Sequence, residues 1–422
     1  MPGSGTAAIR TDTRADGFAE ALGRGTSAVW QDCVVFPSLL MRLAVNAWFI
    51  DSPTTGTGQY VRRLVEGLAG LGEDLEILLV VPSDERGKEG FEHLYLPAAC
   101  AVHPVPCDRS NLAKATFEQV TFPRVCARVE ADVAHVPYWA SPARSSVPVV
   151  VTIHDLIPLL LRRYRGGPLQ RLYTTLVSAT ARGATLVLTD SQASRRDILE
   201  HLSVPADRVR AIALAADDRY GPEPLPGDPE VRAAYGLPER YVLYLGGFDR
   251  RKNLRTVLAA YRHAGPVIGE DYPLVVAGRL PSEDTAFAPD PRRLMREESV
   301  PEDLVHFSGF IEEDDKPAVY RGAVAFLFPS RYEGFGLPPL EALACGTPVV
   351  GSEAASLPEI VGDAGFLLSP DDAEGMAGAL IQLALDDRFR TALSRRALAQ
   401  AARFSWERTA TATLAAYRDA QH

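Results

Sequence analysis

From residue 41 onward, apolar residues gather in short runs that alternate with amphipathic stretches. The runs Leu43–Ile50, Leu75–Val81, Ala131–His135, Val147–Ile153 and Thr185–Thr189 are short and rich in β-branched residues, which predicts buried strands. Between them, Gly58–Leu71, Leu169–Ala181 and Ser194–His201 carry helical periodicity. The segment Ala215–Pro238 breaks the rhythm with clustered prolines and glycines and reads as a linker. The alternation then restarts, with strands expected at Tyr241–Leu245, Leu274–Ala277, Val305–Ser308, Ala323–Phe328 and Thr347–Val350. Helices are expected at Asn253–Tyr261, Asp314–Arg321 and Pro338–Cys345, then from Asp372 to Ala401 and from Trp406 to Tyr417. Strands alternating with helices predict an α/β chain of two Rossmann-like, doubly wound parallel-sheet domains with a cleft between them.

Length agrees, since 422 residues suit two domains. Residues 1–40 have no sustained period and read as a disordered extension or as lying ahead of a natural start at Met41. A net charge of −10 disfavours a nucleic-acid partner, which needs a basic face. Five scattered cysteines with no C-x-x-C pair read as reduced thiols in a cytoplasmic protein. No run reaches the length of a membrane span. Lysine is scarce, with Lys88, Lys114, Lys252 and Lys316 as the whole set, so each one draws attention.

Four constellations could carry chemistry. In Arg331-Tyr-Glu333-Gly334-Phe335-Gly336-Leu337-Pro-Pro-Leu-Glu341, a strand runs into a glycine loop and then a helix. Such a loop lets backbone N–H groups approach an anion at a helix N-terminus. In Gly246-Gly247-Phe-Asp-Arg250-Arg251-Lys252, three cations are expected at the start of a helix, where a bound polyanion would offset their repulsion from the macrodipole. Gly56-Thr57-Gly58 resembles the beginning of a dinucleotide fingerprint, but Val61 replaces its third glycine, which leaves a loop suited to substrate phosphate or sugar. His154 closes a buried strand on the cleft side of its sheet. No cluster of His, Cys, Asp and Glu has metal-site spacing, so no metal is expected.

Together these motifs resemble the retaining glycosyltransferase family 4 of the GT-B fold, from about Met41 to the C-terminus. Glu333-Gly-Phe-Gly-Leu-Pro-Pro-Leu-Glu341 is similar to the family's E-x7-E signature, and His154-Asp-Leu-Ile-Pro, Thr189-Asp-Ser191 and Phe404-Ser-Trp406-Glu look like further landmarks. Bacterial mannosyltransferases of O-antigen and capsule assembly are the nearest subgroup by this resemblance. It implies that residues 41–220 bind the acceptor, that 221–404 bind a nucleotide sugar, and that the helix in 405–422 returns to the first half. It also implies that Glu341 binds the donor ribose and that Glu333 contacts the transferred hexose. Arg251 and Lys252 would pair with the donor diphosphate, aided by the amides of Gly334–Leu337 and shaped by Gly246 and Gly247. His154 would lie at the hexose, Gly309-Phe310 would border the base, and Gly56, Thr57 and Gly58 would form the acceptor-side loop. Gly247 stands where many members carry arginine, which passes the cationic duty to Arg251 and Lys252.

The implied activity is metal-independent hexosyl transfer from a nucleotide sugar, GDP-mannose favoured, to a saccharide or polyprenyl-diphosphate-linked acceptor. No cofactor is implied beyond that co-substrate. The basic-apolar stretch Leu159–Arg171 suggests peripheral contact with the inner membrane face. Other activities open to such a fold are sugar-nucleotide epimerisation and phosphorolysis, and outside catalysis a nucleotide-sugar-binding protein.

Overall fold

A computed structural model of the chain describes residues 40–422, except 53–54, 73, 84–96 and 98. The expectation for the N-terminal extension therefore lies outside the described residues, apart from Leu40. The first sheet holds seven parallel strands: β1 (Met41–Asn46), β2 (Leu75–Ser83), β3 (Cys100–Pro106), β4 (Val133–Val136), β5 (Val149–Thr152), β6 (Leu186–Thr189) and β7 (Val209–Ala211). Their order is β3-β2-β1-β4-β5-β6-β7. The second sheet holds β8 (Tyr241–Leu245), β9 (Leu274–Ala277), β10 (Val305–Gly309), β11 (Ala323–Phe328), β12 (Val349–Ser352) and β13 (Gly365–Leu368). It is also all parallel, in the order β10-β9-β8-β11-β12-β13. Central strands such as β4, β5, β6 and β8 are buried along their whole length, as parallel strands covered by helices must be.

Strand order reverses once in each sheet, between β1 and β4 in the first and between β8 and β11 in the second. A crevice opens at such a point beyond the strands' C-terminal ends. The two crevices hold the chemistry described below.

Three local expectations change. The linker contains a short helix, Asp228–Ala234, started by Pro229 in its first turn. The cations Arg250–Lys252 form a 3₁₀ turn of their own, and the next helix begins only at Leu254, after Asn253 in the left-handed region (φ 58°, ψ 41°). They therefore precede that helix instead of occupying its first turn. In the expected basic-apolar stretch, Leu159 and Leu160 pack partly on the first sheet's core.

The C-terminal helix Trp406–Gln421 lies on the helix Gly56–Gly70 of the first half. A Cβ at Gly67 would come within 3.1 Å of the Ala410 Cβ, so glycine permits the close approach. The Tyr417 hydroxyl shares a hydrogen bond with Nδ1 of buried His135, 2.8 Å away, which ties this helix to β4.

Candidate active site

Two loops build the centre of the site, one after β8 and one after β11. They are neighbours because β8 and β11 pair in the sheet. Asn253 fastens them together: its side-chain amide donates to the Pro329 carbonyl at 3.1 Å and to the Pro370 carbonyl at 2.6 Å. The Arg331 amide donates to the Arg251 carbonyl at 2.8 Å.

Glu333 sits inside this junction. Lys252 Nζ approaches one carboxylate oxygen at 2.8 Å, and the Arg251 guanidinium approaches the other at 2.6 Å. The Ser330 hydroxyl, fully buried, donates to the first oxygen at 2.6 Å. The Lys252 ammonium also lies 4.8 Å from the centre of the Phe328 ring. Burial pushes the Glu333 carboxyl up, but Lys252 and Arg251 overcome it and hold the group below the ordinary carboxylate range.

Gly334 follows, and glycine is required there. A Cβ would stand 2.4 Å from the His154 carbonyl oxygen in the other half of the molecule. The Gly334 carbonyl accepts hydrogen bonds from Ser191 at 2.7 Å and Ser194 at 2.9 Å. Glu359 accepts from the amides of Gln192 and Ala193 at 2.8 and 2.7 Å, so a carboxylate from one half caps a helix of the other. Tyr332 adds a 2.5 Å hydrogen bond to Asp197. These contacts hold the two halves together around the Glu333 loop.

Gly336 (φ 119°) starts the helix Leu337–Ala344. The amides of Gly334, Phe335, Gly336 and Leu337 meet no acceptor among the described residues. Free amides at a helix N-terminus are a site for an anion.

Glu341 lies in that helix, 7% exposed, and accepts a 3.0 Å hydrogen bond from Tyr320. Burial raises its carboxyl above the ordinary range. Lys316 works against that rise, and Glu313, which is itself paired with Lys316, adds to it. Glu341 and Leu337 line a cleft of about 550 Å³ with Gly56, Gln59, Tyr60, Arg62 and Arg63 from the first half and Arg219 from the connection. Glu333 is not part of that wall.

His154 is held on both ring nitrogens. Nδ1 meets Asp190 at 2.7 Å and Nε2 meets the Pro137 carbonyl at 3.2 Å. Both partners only accept, so the ring satisfies them as an imidazolium. Burial opposes that charge, but Asp190 outweighs it and lifts the imidazole above its ordinary value. Tyr60 packs edge-on against the ring at 4.8 Å.

The structure thus joins Arg251, Lys252 and Glu333 directly, and it sets Gly334 against the backbone of His154. Gly56 and Glu341 share one cleft wall. Gly246 and Gly247 form the turn after β8, where the Tyr244 hydroxyl fixes the Gly247 carbonyl at 2.5 Å. Thr57 is half-buried in the first turn of its helix. Gly309 adopts φ 78° at the end of β10, and Phe310 is exposed there beneath the Arg279 guanidinium at 5.0 Å. Sequence reasoning assigned no role to Asp190, Ser330 or Tyr320. Asp190 carried two available signals, its place directly after a buried strand and its position in the Thr189-Asp-Ser191 landmark.

Two family models match the chain: a glycosyl transferase 4-like domain over residues 55–215 and glycosyl transferases group 1 over 228–402. The chain is 33% identical to the O-antigen chain mannosyltransferase B of Escherichia coli, over 87% of this chain and 97% of that protein. It is 32% identical to the D-inositol 3-phosphate glycosyltransferase of Saccharomonospora viridis, over 92% of this chain and 95% of that protein. Among solved structures it resembles the sucrose-phosphate synthase of Thermosynechococcus elongatus, with TM-score 0.69 and 24% identity over 90% of this chain and 98% of that one.

Proposed function

The chain belongs to the group 1 glycosyltransferases, family 4 of the GT-B fold, and on that premise we propose that it transfers mannose from GDP-mannose to a saccharide acceptor with retention of configuration. The observation that carries this reading is the Lys252–Glu333–Arg251 cluster at the β8/β11 switch point, next to the free amides of Gly334–Leu337. Two cations face one carboxylate there, which leaves positive potential for a diphosphate. The names of the mannosyltransferase relatives support the choice of sugar.

As the bond from the anomeric carbon to the phosphate oxygen breaks, negative charge collects on the departing diphosphate. Lys252, Arg251 and the loop amides stabilise that charge as it develops. The acceptor hydroxyl forms the new bond on the same face and passes its proton to the departing phosphate oxygen. Glu341 holds the donor ribose hydroxyls, and Glu333 holds hydroxyls of the hexose. The His154–Asp190 pair fixes the sugar-side wall. Contacts such as Glu359 on the helix Gln192–His201 keep the halves closed and limit donor hydrolysis by water.

The test is release of nucleoside diphosphate from GDP-mannose, UDP-glucose and dTDP-glucose, with and without a mannoside acceptor. Acceptor-dependent release of GDP supports the reading. An epimerised sugar nucleotide, or phosphate-dependent cleavage of a saccharide, would sink it.

Leu169, Leu172 and Leu176 share one face of the helix Pro168–Ala181 and are 83%, 68% and 38% exposed. Arg162, Arg163, Arg165 and Arg171 are exposed beside them. This supports a lipid-linked acceptor met at an anionic bilayer surface. Sedimentation with anionic vesicles, lost in Leu172→Glu and absent with neutral vesicles, is the expected result. Among the described residues no helix is long and apolar enough to cross a membrane.

A further inference from the structure

The two halves also meet at the cation turn Arg250–Lys252. Tyr164 lies in the 3₁₀ turn Arg162–Tyr164 of the first half, and Asp249 directly precedes the cation turn in the second. The Tyr164 hydroxyl donates to Asp249 Oδ1 and accepts from the Arg251 amide at 3.2 Å. Its ring packs edge-on against Phe287 at 4.8 Å, and the Phe287 carbonyl accepts from the Arg250 amide at 3.0 Å. Tyr164 and Asp249 are 85 positions apart, and the site as built so far uses neither.

Asp249 caps the turn, because its Oδ1 accepts from the Arg251 amide at 3.2 Å. The same oxygen lies 3.6 Å from Arg251 Nε, within ion-pair range, yet no hydrogen bond joins them. Nε is buried and meets no acceptor among the described residues. Each oxygen of a carboxylate offers about two acceptor positions. Tyr164 and the Arg251 amide fill both on Oδ1. Asp249 therefore does not draw in the guanidinium. Arg251 reaches instead to the Tyr332 carbonyl at 2.8 Å and to Glu333 at 2.6 Å. Burial and Asp249 push the Tyr164 hydroxyl up to about 12, so it keeps its proton and remains a donor.

We propose that Tyr164 is a positioning residue for the donor diphosphate, a proposal that rests on the transferase reading above. By occupying Asp249 Oδ1, it keeps the Arg251 charge at the Glu333 loop. Without that hydroxyl, Oδ1 regains an acceptor position 3.6 Å from a buried, unpaired donor. Closing the gap satisfies Nε and spends the Arg251 charge on Asp249. The diphosphate then meets one available cation, Lys252, in place of two. Because Tyr164 comes from the first half, the charge is set only where the two halves are together. Donor activation is thereby tied to the arrangement that excludes water.

The experiment titrates inorganic pyrophosphate by calorimetry into wild type, Tyr164→Phe and the double variant Tyr164→Phe/Asp249→Asn. Phenylalanine keeps the ring contact with Phe287, and asparagine still caps the turn. Tyr164→Phe should weaken binding about tenfold, the loss of one charged contact. The double variant should return to within about twofold of wild type, since a neutral amide does not compete for the guanidinium. In turnover of GDP-mannose, donor kcat/KM should follow the same pattern, with acceptor KM within about twofold throughout. Wild-type affinity in Tyr164→Phe overturns the proposal. So does a loss that Asp249→Asn fails to restore, which would make Tyr164 a structural contact only. Pyrophosphate carries neither sugar nor base, so wild type that binds it and transfers no sugar sinks the transferase reading alone. Loss and rescue in that titration still support the role of Tyr164.

Discussion

Glu333 and Glu341 are eight positions apart and both are largely enclosed, yet their surroundings drive them in opposite directions. Glu333 lies in a loop that faces the loop after β8, so Lys252 and Arg251 reach both carboxylate oxygens and hold it ionised. Glu341 lies one helix turn further on. Its nearest cation is already paired with Glu313, and its direct partner is a tyrosine hydroxyl. Cations hold the carboxyl down at one position, and burial raises it at the other. Burial alone raises a carboxyl; the supply of cations decides whether it stays charged. This division suits the proposed chemistry, with cations gathered where the diphosphate departs and a buried hydrogen-bonding carboxyl where ribose hydroxyls are held.

The comparison can be broken most sharply at Lys252. Lys252→Ala should lower kcat by about 10²–10³, the usual cost of removing one preorganised charge stabiliser. It should also lower the melting temperature, because Glu333 keeps only Arg251 as a counterion. A variant with wild-type kcat would show that the cation has no part in the chemical step. Glu341→Gln should behave differently, with donor KM up about tenfold and kcat nearly unchanged. A fall in kcat as large as that of Lys252→Ala would erase the distinction between the two carboxylates.

Asp190→Asn extends the comparison to the His154 side. Asp190 and Asp155 favour the imidazolium, while burial opposes it. The ring's folded value is raised, so the stabilisation by Asp190 is complete below the ordinary histidine value and is lost as pH rises through the folded one. The variant should shift the alkaline limb of the kcat/KM profile to lower pH and reduce kcat/KM about threefold above neutrality. An unmoved profile would mean that His154 does not titrate in the working range.

The smallest effect is thermal. The Glu333 contribution to stability is present above the unfolded-chain carboxylate value and fades as pH falls through its lowered folded value. That of Glu341 is present in acid and fades as pH rises through its raised one. At neutral pH Glu333→Gln should therefore melt lower than wild type and Glu341→Gln higher, each by about 2–4 °C per kcal/mol. Both differences should shrink on acidification. Shifts of the same sign would show that the two environments are electrostatically alike.

Most of the fold was legible because central parallel strands need continuous apolar runs, and those runs were visible at Val147–Ile153, Tyr241–Leu245 and Ala323–Phe328. The strands that escaped notice were β3, β7 and β13, all at sheet edges. An edge strand buries less, so β3 carries His103, Pro104 and Pro106 and alternates between half-buried and exposed. The charge patch was legible only in part. Arg162–Arg171 is exposed, but the leucines beside it that face solvent are Leu169, Leu172 and Leu176, while Leu159 and Leu160 pack partly on the core.

By itself the sequence determined the two α/β halves and the family they belong to. It also determined the loop-to-helix unit that carries Glu333 and Glu341 at fixed spacing, because strand runs, helix starts and glycine turns are written in neighbouring residues. Only the tertiary structure decided the charge state of those groups and their partners. Lys252 and Glu333 are 81 positions apart, and His154 and Asp190 are 36. Strand order in a parallel sheet brings each pair together, and no local pattern records which distant loop will arrive beside a buried carboxylate.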